Sequence, residues 1–245
     1  MKEDFEFVYG KNSALEIVEN SNLQVNKIWL SNSLQNEDLK KTIISYAKEK
    51  KIPYNLVPFE KITKLVNNKN HQGVLLSISP IKYTSVESII ESAQKSNVIL
   101  IAHEIQDAHN LGAMIRTFVA ASGIGIILTG RTNIGINSTV MKTSAGALFQ
   151  ANFARATNCV TVLEKLKENN FWIVGTDSSH NFKSLYEVDF PKKVAIVVGN
   201  EHEGLGQLIK KNCDFLVRIP ISNKVDSLNV SVAFGIVLFE ILRKG

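Results

Sequence analysis

The chain has only two cysteines, Cys159 and Cys213, far apart and in no CxxC pair. That usage excludes a disulfide scaffold and reads as buried thiols in a reducing cytoplasm. No apolar run approaches the ~18 residues that a transmembrane helix needs. The segment MKEDFEFVYG carries acids and no apolar signal core, so a cytoplasmic protein is expected. Nucleotide-binding signatures are missing too: HEIQDAHNLG stands where a GxGxxG would follow the first strand of the C-terminal half, and there is no GKS or GKT. The histidines make no HExxH. His103 and His109 are six apart, and His71, His180 and His202 are scattered, so no metal site is expected. No nucleophile elbow supports a Ser-His-Asp triad.

What is present is the balance of a soluble globular protein. Of 245 residues, 44% are hydrophobic and 21% charged, enough for one large domain or two modest ones. The formal net charge of +5 leans toward an acidic partner. The excess is spread out, with 11 basic and 9 acidic side chains in residues 1–80 against 17 and 14 in the remainder. A nucleic-acid partner would therefore meet a folded surface, not a polybasic tail.

Residues 1–79 read as a small α/β module. Helical stripes occupy Asn12–Val18, Asp38–Glu49 and Glu60–Val66, and strands Lys27–Leu30, Pro53–Val57 and Gly73–Ser79. Pro80 stops the last strand, and the polar residues 80–97, with a short stripe of Val86, Ile89 and Ile90, read as a linker. Residues 98–245 alternate strictly. Apolar runs at Val98–Ala102, Ile124–Leu128, Phe171–Val174, Val194–Val198 and Phe215–Ile219 are separated by helical patterns at 110–121, 137–148, 160–169 and 204–212, with a last one at 228–243. Short, continuous apolar strands between helices predict a parallel sheet covered on both faces.

In such a sheet ligands bind beyond the C-terminal strand ends. Three loops there are rich in Asn, Gly, Ser and Glu: DAHNLGAMIRT (107–117), GNEHEGLG (199–206) and IPISNKVDSLN (219–229). They point to one shared site. Asn110 is expected to cap its helix. Gly199 ends a strand and Gly204 is expected to open a helix, leaving the backbone bare for a ligand. The helix over 228–243 has a core stripe of Val230, Ala233, Phe234, Val237, Leu238 and Ile241, yet Val232, Ile236 and Phe239 outside it are apolar as well. A helix greasy on two sides needs two partners.

Taken together, NLGAMIR (110–116), VGNEHEG (198–204) and IPI…DSLNVSVA (219–233) resemble the three motifs of the SpoU/TrmH family, the RNA ribose 2′-O-methyltransferases of the SPOUT superfamily. The resemblance spans roughly residues 98–244. VYGKN (8–12) and HQGV (71–74) are similar to segments of the family's L30e-like RNA-binding domain. The two-domain layout is most similar to the branch that methylates a guanosine of large-subunit (23S) ribosomal RNA; a transfer RNA substrate and a non-catalytic RNA-binding or ribosome-assembly role are the alternatives. The resemblance implies a C-terminal trefoil knot, which chain topology otherwise avoids, and a homodimer packed through the C-terminal domain. It implies S-adenosylmethionine as cofactor, held largely by backbone groups at Gly199, Ile219 and Leu228, with Thr176 close by. It makes Asn110, Arg116, Glu201, Ser227 and Asn229 the catalytic set, with Glu201 orienting Arg116.

Overall fold

The computed structural model describes all residues except 1–5, 21–22, 68–69, 94–97, 124, 178–181, 223 and 245. Ile124, His180 and the end of the expected linker thus lie outside the described residues. The chain divides into two compact units, one of Met1–Lys82 with Ile136–Gln150, the other of Tyr83–Gly135 with Ala151–Gly245.

The first unit runs β1 (Glu6–Tyr9), α1 (Lys11–Asn20), β2 (Val25–Ser31), α2 (Glu37–Glu49), β3 (Tyr54–Val57), α3 (Phe59–Leu65) and β4 (Val74–Ile78). Its four strands lie in the order β1-β4-β2-β3, antiparallel except for the β2–β3 pair. The α2 helix shows why the local sequence folds as it does. Asn36 caps it by accepting from the Leu39 N–H at 3.0 Å, Glu37 and Asp38 complement the dipole, and Leu39, Ile43 and Ala47 turn inward at helical spacing. The HQG segment has a structural role. His71 is buried, its Nδ1 accepts from the Gly73 N–H at 3.1 Å, and its Nε2 lies 2.9 Å from the Thr63 hydroxyl. Since that hydroxyl donates to the Phe59 carbonyl, the ring is neutral with its proton on Nε2. Burial holds its pKa below the ordinary histidine value. The short β1 was not anticipated. The segment 136–150, which the sequence places inside the C-terminal domain, groups with this unit as α6 (Ser138–Thr143) and a 3₁₀ turn, Ala147–Gln150.

The second unit holds α4 (Val86–Ala93), β5 (Val98–His103), α5 (Ala108–Ala120), β6 (Gly125–Thr129), β7 (Asn152–Ala156), α7 (Cys159–Glu168), β8 (Trp172–Thr176), β9 (Lys183–Ser184), β10 (Val194–Val198), α8 (Gln207–Asn212), β11 (Phe215–Arg218) and α9 (Val230–Lys244). The seven strands are all parallel, in the order β7-β6-β5-β10-β8-β11-β9. The edge strands β7 and β9 escape the sequence reading because neither is an apolar run. Central β10 is buried along its whole length, as a strand covered on both faces must be. Ile89, Ile90 and Ala93 of α4 share one core with Leu163 and Leu166 of α7, Ile209 of α8 and strand residues such as Ile99 and Val197. Residues 86–93 are therefore an integral layer of this unit and not a connecting strap. The α9 helix packs on α5, β8 and β10, with Phe118 and Phe234 ring centroids 6.3 Å apart.

Cys159 is buried as expected, but Cys213 is only half-buried. Burial raises Cys159 to about 11 and Cys213 to about 12, so both stay protonated and unreactive.

Candidate active site

The C-terminal ends of β8, β10 and β11, Lys210 of α8 and the start of α9 enclose a cleft of about 320 Å³, within the range of small-molecule sites, roughly 300–1,000 Å³. Its lining includes Thr176, Gly199, Ile219 and Leu228, together with Glu201 and Ser227. Six of the nine residues picked out on sequence thus share one cavity.

Gly199 is required by close approach. A Cβ there would lie 2.3 Å from the backbone carbon and oxygen of Gly204, so any side chain would force the loop open. Gly204 itself has φ +65° and sits in a turn closed by its N–H to the Asn200 carbonyl at 2.9 Å. It does not open the helix as expected. Gly206 is the N-cap and α8 starts at Gln207.

Asn110 and Asn229 are joined to Glu201 by a directional hydrogen-bond chain. Asn229 precedes α9, and its Oδ1 accepts from the Ser231 N–H at 2.9 Å and the Ser231 hydroxyl at 2.6 Å. With its oxygen so engaged, the Asn229 amide must present Nδ2 outward, and this donates to Asn110 Oδ1 at 2.9 Å. The Asn110 Nδ2 then donates to Glu201 Oε1 at 3.1 Å. Asn110 is buried, so both its polar ends need the partners they have. The expected cap role belongs instead to Asp107, whose carboxylate accepts from the His109 N–H at 2.7 Å. That leaves the Asn110 amide free for the site.

Two expectations meet a different arrangement. Glu201 takes the Asn110 amide, and no hydrogen bond or ion pair joins it to Arg116. Arg116 is exposed on α5, with no partner among the described residues. Ser227 lines the cleft without a hydrogen bond to another described residue there.

Two residues were missed. Asn200 donates from Nδ2 to the Glu104 carbonyl at 3.2 Å and accepts the His202 N–H at 2.8 Å, tying the loop after β5 to the loop after β10. An asparagine following the strand-end glycine was the available signal. Ser231, two residues after Asn229, fixes that amide's orientation; its position in a helix's first turn was the clue. A Lys210–Asp177 ion pair, N···O 2.5 Å, also lines the cleft.

The chain is similar over most of its length to known proteins. Residues 97–239 match the SpoU rRNA Methylase family, and residues 7–84 match the RNA 2′-O ribose methyltransferase substrate-binding family. YacO of Bacillus subtilis, named for the TrmH family of tRNA/rRNA methyltransferases, is 34% identical over 247 residues, covering 100% of this chain and 98% of its own. An AdoMet-bound rRNA methyltransferase from Sinorhizobium meliloti has a similar fold, with TM-score 0.78 at 23% identity over 98% of this chain and 87% of that one. So has the SpoU methyltransferase AviRb of Streptomyces viridochromogenes, with TM-score 0.81 at 18% identity over 98% and 89%.

Proposed function

Because the chain belongs to the SpoU/TrmH family of S-adenosylmethionine-dependent RNA methyltransferases, we propose that it methylates a ribose 2′-hydroxyl in RNA, that of a guanosine in large-subunit ribosomal RNA. The observation that carries the reading is the Asn229–Asn110–Glu201 chain standing beside the cleft. A binding protein descended from this fold has no use for three polar groups locked head to tail at a cavity mouth.

The cleft suits the cofactor. Asp177, Glu201 and Glu203 line it against a single lysine, Lys210, among its described residues, an acidic excess that complements a sulfonium cation. Bound there, the cofactor supplies a methyl group already activated by that positive charge. Gly199, Ile219 and Leu228 give it backbone groups and Thr176 a hydroxyl. The protein has then to align a weakly nucleophilic oxygen and stabilise it as its proton passes to water. Ser227 and Asn229 address the hydroxyl, Asn110 holds Asn229, and Glu201 anchors the row. Arg116, exposed and unpartnered among the described residues, is free to clamp an RNA phosphate and stabilise the developing alkoxide. A guanidinium stays protonated in proteins, so Arg116 is no base.

A homodimer completes the reading. Val232, Phe239 and Leu242 leave 51%, 52% and 38% of their surface on the outer face of α9, and a second copy would cover it. We read the C-terminal segment as the family's knot. The substrate-binding match over residues 7–84 supports an RNA substrate, and the family matched over residues 97–239 is named for rRNA.

The test is methyl transfer from labelled S-adenosylmethionine to unmodified ribosomal RNA and, separately, to bulk transfer RNA, with nucleoside analysis by mass spectrometry. 2′-O-methylguanosine in ribosomal RNA is expected. Transfer to transfer RNA alone moves the substrate, and cofactor binding without transfer to either points to an assembly intermediate. A chain that binds no cofactor is an RNA-binding protein.

A further inference from the structure

We propose that the Lys210–Asp177 ion pair is the subsite for the amino-acid head of the cofactor, Lys210 receiving the α-carboxylate and Asp177 the α-ammonium. The inference rests on the cleft being the cofactor site.

The argument starts from charge. S-adenosylmethionine carries two positive groups, the sulfonium and the ammonium, and one negative group, the carboxylate. The cleft lining has the complementary pattern of three carboxylates and one lysine among its described residues. Among the described lining residues Lys210 is the one lysine or arginine that can attract an anionic group, while Asp177 beside it can take the ammonium carried on the same carbon. The carboxylate therefore has one place to go.

Spacing supports the same placement. In an α-amino acid the ammonium and carboxylate stand on one carbon, side by side. Lys210 Nζ and Asp177 Oδ2 are also side by side, 2.5 Å apart, and offer opposite charges in the order a zwitterion matches head to tail. The side chains are 20% and 10% exposed, which desolvates them enough to matter and leaves them reachable from the cavity. Position along the sheet separates this pair from the chemistry. Glu201 follows β10 and Asn110 follows β5, which is β10's neighbour on one side; Asp177 follows β8, its neighbour on the other. The head group would point away from the Asn229–Asn110–Glu201 chain and leave the sulfonium methyl nearer to it.

Calorimetry on the full chain tests this with S-adenosylmethionine and its decarboxylated analogue, which keeps the sulfonium and the amine. The acidic excess of the cleft would favour the more cationic analogue, so a preference for the parent isolates the Lys210 contact. The wild type should prefer the parent roughly ten- to hundredfold, the range of a charge-assisted hydrogen bond. Lys210→Met should lower parent affinity by a similar factor, leave the analogue unchanged or tighter, and abolish the preference. Lys210→Arg should keep it. No preference in the wild type, or equal weakening of both ligands by Lys210→Met, overturns the assignment. A cleft-filling Ile221→Trp separates the two levels of the argument. If it weakens the parent while Lys210→Met leaves the preference intact, only the head-group assignment fails. If neither variant moves parent affinity, the cofactor binds elsewhere and the reading of the cleft fails as well.

Discussion

The hydrogen-bond chain from α9 to Glu201 makes a quantitative prediction. Replacing Asn110 by Ala removes two bonds, one to a carboxylate at 3.1 Å and one from an amide at 2.9 Å. The first is worth about 1.5–3 kcal/mol and the second about 0.5–1.5 kcal/mol. If both serve the transition state, the rate of transfer should fall by roughly thirty- to two-thousand-fold, at ~1.4 kcal/mol per decade. Asn229→Ala removes only the second bond from the site but also uncaps α9, at a cost of about 1 kcal/mol in stability. Asn229→Asp keeps a capping oxygen but loses the donor to the buried Asn110 oxygen, so it should keep the helix cap, lose about 1–3 kcal/mol at the unpaired acceptor and transfer slowly. The assay is single-turnover methyl transfer with enzyme in excess over RNA, on the two single Ala variants and their double. In the double variant the Asn110–Asn229 bond is already gone, so the losses should fall short of multiplying by about 0.5–1.5 kcal/mol. Losses that multiply would mean that the contact between the two amides does nothing for the reaction, and the chain would reduce to helix capping.

Gly199→Ala places a methyl group 2.3 Å from the Gly204 backbone, so cofactor binding by calorimetry should be lost while far-UV circular dichroism is kept. Arg116→Lys should lose most of its transfer rate with cofactor affinity unchanged, because a single ammonium cannot replace a bidentate fork; robust turnover by Arg116→Ala at normal RNA affinity would remove Arg116 from the mechanism. Phe239→Glu puts a charge on the outer apolar face of α9 and should give a monomer in sedimentation velocity, where a dimer would refute the interface. His71 is held neutral by burial, so the unfolded chain binds more protons near its ordinary pKa of about 6.5. Stability should then fall as pH drops through that value, because protonating Nδ1 also breaks its bond from the Gly73 N–H. His71→Gln should flatten the pH dependence of the melting temperature between pH 8 and 5.5.

The fold was legible wherever burial imposes a period. The runs at Val98–Ala102 and Val194–Val198 are continuously apolar because the sheet is covered on both sides, and α2 and α9 carry stripes because each faces a core. Where burial is partial the signal fades. The strand Asn152–Ala156 sits at a sheet edge and contains Asn152 and Arg155, so composition gave no hint of it. The helix Val86–Ala93 was visible as a stripe, but its flanking polarity looked like a linker. Only the sheet in place shows Ile89 and Ile90 filling a core. The grouping of residues 136–150 with the first unit is a long-range event that no local pattern encodes.

The site divides along the same line. Residue types and their place after strand ends were readable because they follow from the parallel sheet, which brings every strand's C-terminus to one edge. Which atom bonds which was not. Asn110 looked like a helix cap because asparagine at a helix start is usually one, and Asp107 three residues earlier takes that role only once the true helix start is known. Glu201 looked like a partner for Arg116 because opposite charges attract. A carboxylate inside a cleft is served better by a buried amide whose own orientation is fixed: Asn229 donates to the Asn110 oxygen, and Ser231 in turn fixes Asn229 through two bonds to its Oδ1. The consequence is mechanistic. With Glu201 committed to Asn110, no carboxylate among the described residues holds Arg116 in place, so its guanidinium would take its geometry from the anion that arrives. On the proposed function the arriving anion is an RNA phosphate, and the substrate itself would then complete the site.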